Sequence, residues 1–103
     1  MALVPASIIG GGLTKTSSWA DAKAKAKSYV MVKIEGPFSV TRVLELIIPK
    51  EDFNSSNYFT TGYYYTASNN GMVTFKPDAD TAYAYYNGGN VPASSMTVTY
   101  YYD

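Results

Sequence analysis

The chain is 103 residues long, the size of one small domain, and its eight basic and eight acidic side chains leave no formal net charge. Neutrality provides no electrostatic footprint for a polyanion, which excludes nucleic acid as an expected partner. With neither His nor Cys, the chain lacks the usual zinc, haem and thiol ligands, the commonest general base and every disulfide.

A metal would therefore have only carboxylates and carbonyls to bind, and neither a metal site nor a cofactor is expected. No apolar run reaches the roughly 18 residues of a membrane span. The opening Met1-Ala2-Leu3-Val4-Pro5-Ala6-Ser7-Ile8-Ile9-Gly10 lacks a charged leader and a long apolar centre, so it is not expected to act as a secretory signal. The eleven tyrosines are the compositional oddity. They can cover sheet faces, or some can form a contact surface, since Tyr combines a large rigid area with a polar tip.

Residues 1–16 end in Gly10-Gly11-Gly12 and Lys15-Thr16, and read as a flexible arm that needs outside support to hold one path. The folded domain is expected over 17–103. Ser17 or Ser18 can cap a short helix over Trp19 to Lys27, with Asp21 in its first turn. The same letters alternate with period two and would also suit a lysine-guarded edge strand, although Ala and Lys favour the helix.

Tyr29 to Ile34 is a clean strand, with Val30, Val32 and Ile34 on one face and Tyr29, Met31 and Lys33 on the other. Gly36-Pro37 ends it. Ser39 to Ile48 follows as a second strand, whose apolar centre predicts burial on both faces and a central place in its sheet. Glu51-Asp52 and Asn54 cluster oxygen atoms in the next connection, without the alternating ligands and closing Glu of a calcium loop.

The strongest local signal is Tyr58 to Phe75, where aromatic and β-branched residues flank Asn70-Gly71. That dipeptide predicts the tight turn of a β-hairpin, because Gly71 takes positive φ freely and Asn70 tolerates it. Lys76 to Asp80 forms another turn, with Asp78 and Asp80 as a weak carboxylate pair. Thr81 to Tyr86 reads as a strand entering the glycine-rich turn Asn87-Gly88-Gly89-Asn90. The final strand, Ser95 to Asp103, sets Met96, Val98 and Tyr100 against Thr97, Thr99 and Tyr101, and is expected to tie the terminus into a sheet.

These elements predict a mainly β protein, an antiparallel β-sandwich of about six strands with a flexible amino-terminal arm and one short helix. The layout resembles the small virion proteins of tailed bacteriophages and the β-sandwich modules of their tail, baseplate or fibre components. It does so through the arm, the Trp19 lead-in, Ser28 to Ile34, the apolar strand ending Leu46-Ile47-Ile48-Pro49, the tyrosine-rich hairpin and the close Met96 to Asp103. The resemblance implies a structural, non-enzymatic role in a virion assembled in a host cytoplasm, such as capsid decoration, fibre or tail accessory. It also implies a homo-oligomer, commonly a trimer, in contact with other virion proteins. The alternative is a carbohydrate-binding module for a host surface glycan, with Tyr63, Tyr65, Tyr83 and Tyr85 stacking on sugar rings and Asn87 and Asn90 holding hydroxyls.

Overall fold

The computed structural model describes residues 12–38 and 44–103. Most of the expected arm, and the amino-terminal half of the expected second strand, lie outside the described residues. The described chain runs β1 (Thr14–Thr16), α1 (Trp19–Lys25), β2 (Tyr29–Glu35), β3 (Leu44–Pro49), β4 (Phe59–Thr66), β5 (Asn69–Lys76), β6 (Thr81–Tyr86), β7 (Gly89–Asn90) and β8 (Thr97–Tyr102). Two antiparallel four-stranded sheets result. The first has the order β1-β8-β2-β3 and the second β4-β5-β6-β7, which fits a β-sandwich of eight strands rather than about six. The two extra strands are the shortest, β1 and β7.

Inside the sandwich, each sheet contributes the apolar half of its alternation. Val30, Val32 and Ile34 of β2 meet Leu44, Leu46 and Ile48 of β3, and Val73 and Phe75 of β5 come in from the other sheet. At roughly 25 cal/mol per Å² of apolar surface, each such fully buried aliphatic side chain contributes about 1.5–3 kcal/mol. β2 is buried on both faces, because Met31 is also only 1 % exposed where Ile47 and Tyr101 flank it in register. β3, expected to be central, is instead terminal in its sheet. It buries one face only, with Glu45, Ile47 and Pro49 half-exposed.

The helical alternative for the Ala-Lys segment is the one adopted, and local chemistry shows why. Ser18 caps α1 by accepting a hydrogen bond from the Asp21 N–H (3.1 Å), and Asp21 pairs with Lys25 one turn later (3.0 Å). The helix turns Trp19 and Ala22 inward. The Trp19 ring stands edge-on to Phe75 and Phe53, at 5.0 and 5.5 Å between centroids, and Tyr100 lies at 5.6 Å. Its indole N–H donates to the Pro77 carbonyl (2.9 Å), so the polar tip of the ring is satisfied inside the core. The Tyr100 hydroxyl in turn donates to Asp80 (3.1 Å). Burial, and then the Asp80 charge, push that hydroxyl well above the usual tyrosine range.

The last three residues of the expected arm are ordered into β1, which pairs with the end of β8. Just beyond β8, the Asp103 carboxylate accepts from the backbone N–H groups of Lys27 (2.9 Å) and Ser28 (3.0 Å) and from the Ser28 hydroxyl. Desolvation pushes this carboxyl up, but those bonds and one from the Tyr29 N–H outweigh it and hold the group at about 2.

The central hairpin departs from expectation in its turn. Its two-residue loop is Ala67-Ser68, while Asn70 and Gly71 lie inside β5. In the observed register Phe59 faces Phe75, Thr61 faces Val73 and Tyr63 faces Gly71. These pairs give the sheet a continuous inward face, a tertiary demand that overrides the local turn preference. Tyr65 is the extra residue of a bulge, since Tyr64 opposes Asn70 and Thr66 opposes Asn69. The Asn70 side-chain amide closes the loop by donating to the Thr66 and Ala67 carbonyls, both at 3.0 Å.

Candidate functional site

Because side chains alternate along a strand, the register that sends Phe59, Tyr63, Val73, Phe75 and Ala84 inward fixes what the second sheet shows outward. Its outward face is built in rows across β4, β5 and β6. Thr60, Thr74 and Tyr83 form one row, and Gly62, Met72 and Tyr85 form the next. Tyr58 and Tyr64 flank these rows on the β4 side. Tyr64 is 72 % exposed and Tyr58 60 %, and Met72, Tyr83 and Tyr85 are exposed as well. The exposed rings and the Met72 side chain thus share one face of the sheet.

Two adjoining grooves cut this face, sharing Thr60 and Tyr85. The first, about 510 Å³, has Gly62 in its lining and Tyr64, Met72 and Tyr85 around it. The second, about 810 Å³, runs past Tyr58, Tyr83 and Tyr85 to Val91 and Met96. No charged side chain lines either groove. Lys76 stands at one end of the face, 5.8 Å from the Tyr58 ring centroid and paired with Asp78 at 2.8 Å. The hydrogen bond to Asp78 raises the Lys76 ammonium pKa, so this end carries a neutralised pair.

Much of the neighbouring polar chemistry is already engaged within the sheet. The Thr60 and Thr74 hydroxyls bond each other at 3.0 Å. The Asn87 side-chain oxygen accepts from the Asn70 N–H (2.9 Å), and the Asn87 N–H donates to the Asn70 carbonyl (2.8 Å). Asn87 and Gly88 both have positive φ, 52° and 83°, the pattern of a type I′ turn, which links β6 to β7.

The six residues singled out from the sequence divide between three places. Tyr83 and Tyr85 stand on the outward face, and Asn90 sits opposite Tyr85 in register. Tyr63 faces inward against the core, and its ring lies 5.7 Å from that of Tyr65 near the hairpin end. Asn87 is a turn residue whose side chain organises the hairpin. Tyr58, Tyr64, Met72 and Gly62 complete the face and were missed, because their side depends on a register that the misplaced turn obscured.

Among the described residues, no group of three or more acidic side chains is placed to hold a metal ion. No described helix is long and apolar enough to cross a membrane. No protein-family model matches the chain, and neither a curated protein nor a solved structure matches it.

Proposed function

We propose that the protein is a structural, assembly-type component that acts by protein–protein contact through the tyrosine face of the β4–β7 sheet. The single observation behind this reading is the one-sidedness of that sheet. Its inner face is packed against the core, while Tyr58, Tyr64, Met72, Tyr83 and Tyr85 stand exposed together on the outer one. Tyr and Met are enriched at protein interfaces and charge is depleted at their centres, which is the composition seen here. A place in a phage virion is the specific form that the layout resemblance implies.

A carbohydrate-binding role is the second reading, favoured by Asn90 standing in register with Tyr85 beside the larger groove. Absolute molar mass by light scattering, over a range of concentrations, separates the two. The expected result is a mass that rises with concentration in the native chain and no longer does so in a Tyr83→Ser/Tyr85→Ser variant of unchanged circular dichroism. A constant monomer mass together with glycan-array binding would overturn the assembly reading in favour of the carbohydrate one.

A further inference from the structure

We infer that Asn87 is a site of self-catalysed deamidation through a cyclic imide, and that the fold shields the chain's other Asn-Gly step, Asn70-Gly71, from the same reaction. The chemistry needs only water. The backbone nitrogen of the following residue attacks the asparagine Cγ and closes a five-membered ring, while the proton of that nitrogen passes through water to the side-chain nitrogen, which leaves as ammonia. A water molecule then opens the succinimide at either carbonyl, giving aspartate or isoaspartate. Glycine in the second place removes the Cβ that would crowd the attack, and the chain has this pairing twice.

The reaction requires an available nitrogen, a polarised carbonyl and backbone room to rotate, and the turn at Asn87 supplies all of them. Among the described residues, no hydrogen bond takes up the Gly88 N–H. Both turn residues are exposed, and nothing lies within 4 Å of the place a Gly88 side chain would take. The Asn87 side-chain oxygen accepts from the Asn70 N–H at 2.9 Å. The carbonyl under attack therefore already faces a donor fixed by the sheet, which draws electron density from Cγ and stabilises the oxyanion that forms there.

At Asn70 each requirement fails. Its own N–H and carbonyl point to Asn87, so Gly71, next along β5, turns its N–H toward Tyr63 of β4 and spends it in the ladder. The side-chain nitrogen, which would have to leave, is tied to the Thr66 and Ala67 carbonyls. Rotation would also drive the buried Gly71 against the Tyr63 and Phe38 rings. The product at Asn87 is consequential for its surroundings. Ring opening leaves one negative charge next to Gly88, in the lining of the otherwise uncharged first groove. Aspartate keeps an acceptor for the Asn70 N–H, whereas isoaspartate adds a methylene to the main chain and breaks the two-residue turn between β6 and β7.

The test is to age the full chain at mildly alkaline pH, in buffer and in parallel in concentrated urea, and to follow each site by fragmentation mass spectrometry that tells aspartate from isoaspartate. The expected result is deamidation at least tenfold faster at Asn87 than at Asn70 in the folded chain, and comparable rates at the two sites in urea. Isoaspartate should appear at position 87 alongside aspartate. A Gly88→Ala chain, shown by circular dichroism to be folded, should lose most of the reaction. Comparable rates at the two sites in the folded chain, a faster Asn70, or the same preference for Asn87 in urea would each overturn the inference. So would aspartate at position 87 without isoaspartate, because direct hydrolysis of the side chain involves no ring.

Discussion

The chain contains two Asn-Gly dipeptides, and the fold uses them in opposite ways. Asn87-Gly88 is a two-residue turn with both residues at positive φ. Asn70-Gly71 is extended strand, buried at Gly71, with the Tyr63 and Phe38 rings packed over the place a side chain would take. The two sites even touch, since the Asn70 backbone exchanges hydrogen bonds with Asn87. What separates them is the company they keep. Turning at 70–71 would have set Val73 and Phe75 against the polar run before Asn69, whereas the observed register gives them Thr61 and Phe59. Glycine's backbone freedom matters at one site, and its missing side chain at the other.

Substitutions sharpen that contrast, beginning with the largest effect. A Cβ at position 71 would stand 2.6 Å from the Tyr63 ring and 2.9 Å from that of Phe38. Gly71→Ala should therefore cost about 1–3 kcal/mol by overpacking, measured by chemical denaturation. The increment should shrink in a Tyr63→Ala background, where only the Phe38 ring still crowds the new Cβ, and an undiminished cost would contradict the packing of Tyr63 over Gly71. Gly88→Ala meets nothing within 4 Å but must hold φ near 83°, so its cost of about 1–2 kcal/mol is purely conformational. No deletion of a neighbouring ring should relieve it. Asn70→Ala removes an amide that bonds two carbonyls of the Ala67-Ser68 loop, a loss of about 1 kcal/mol. Its mark should be faster amide exchange at Thr66 to Asn69.

The smallest effect lies in the other sheet and serves as a control. The Asp103 carboxyl is held at about 2 in the folded chain, below the roughly 3.9 of an unfolded aspartate. A depressed carboxylate stabilises the fold fully above the unfolded value, and its contribution is lost as pH falls through the folded one. The acid limb of the stability profile between about pH 4 and pH 2 should flatten in Asp103→Asn. The Asn70 and Gly88 variants should keep the native slope there.

Where burial follows a simple period, the sequence was legible. Val30, Val32 and Ile34 point inward as their alternation predicts, and Val98 and Tyr100 do the same in β8. Trp19 and its Ser18 cap were readable because capping chemistry is local. β1 was not, since Thr14-Lys15-Thr16 shows no apolar pattern and owes its conformation to β8. Ala67 and Ser68 carry no turn signature, so the hairpin's register could not be placed from the residues alone. That one uncertainty spread to the candidate site, because a shift of one residue exchanges the two faces of a strand. Tyr83 and Tyr85 share the exposed face of β6 because that strand alternates small and large residues. Tyr58 and Tyr64 needed the partner strand to be known.

The strand order has a consequence for the time course of folding. All four strands of the tyrosine-bearing sheet come from one stretch, residues 59–90, and each joins its sequence neighbour. The other sheet is stitched together by β8, which follows every other element in the chain yet lies between β1 and β2. Hairpins close in microseconds, while contacts between distant segments carry a larger loop-closure cost and form more slowly. On a ribosome, residues 59–90 can pair as they emerge, with their apolar underside waiting for a lid. Only the arrival of Thr97–Tyr102, carrying Tyr100 to Trp19 and Phe75, completes it, so the slowest step should be the insertion of one late strand.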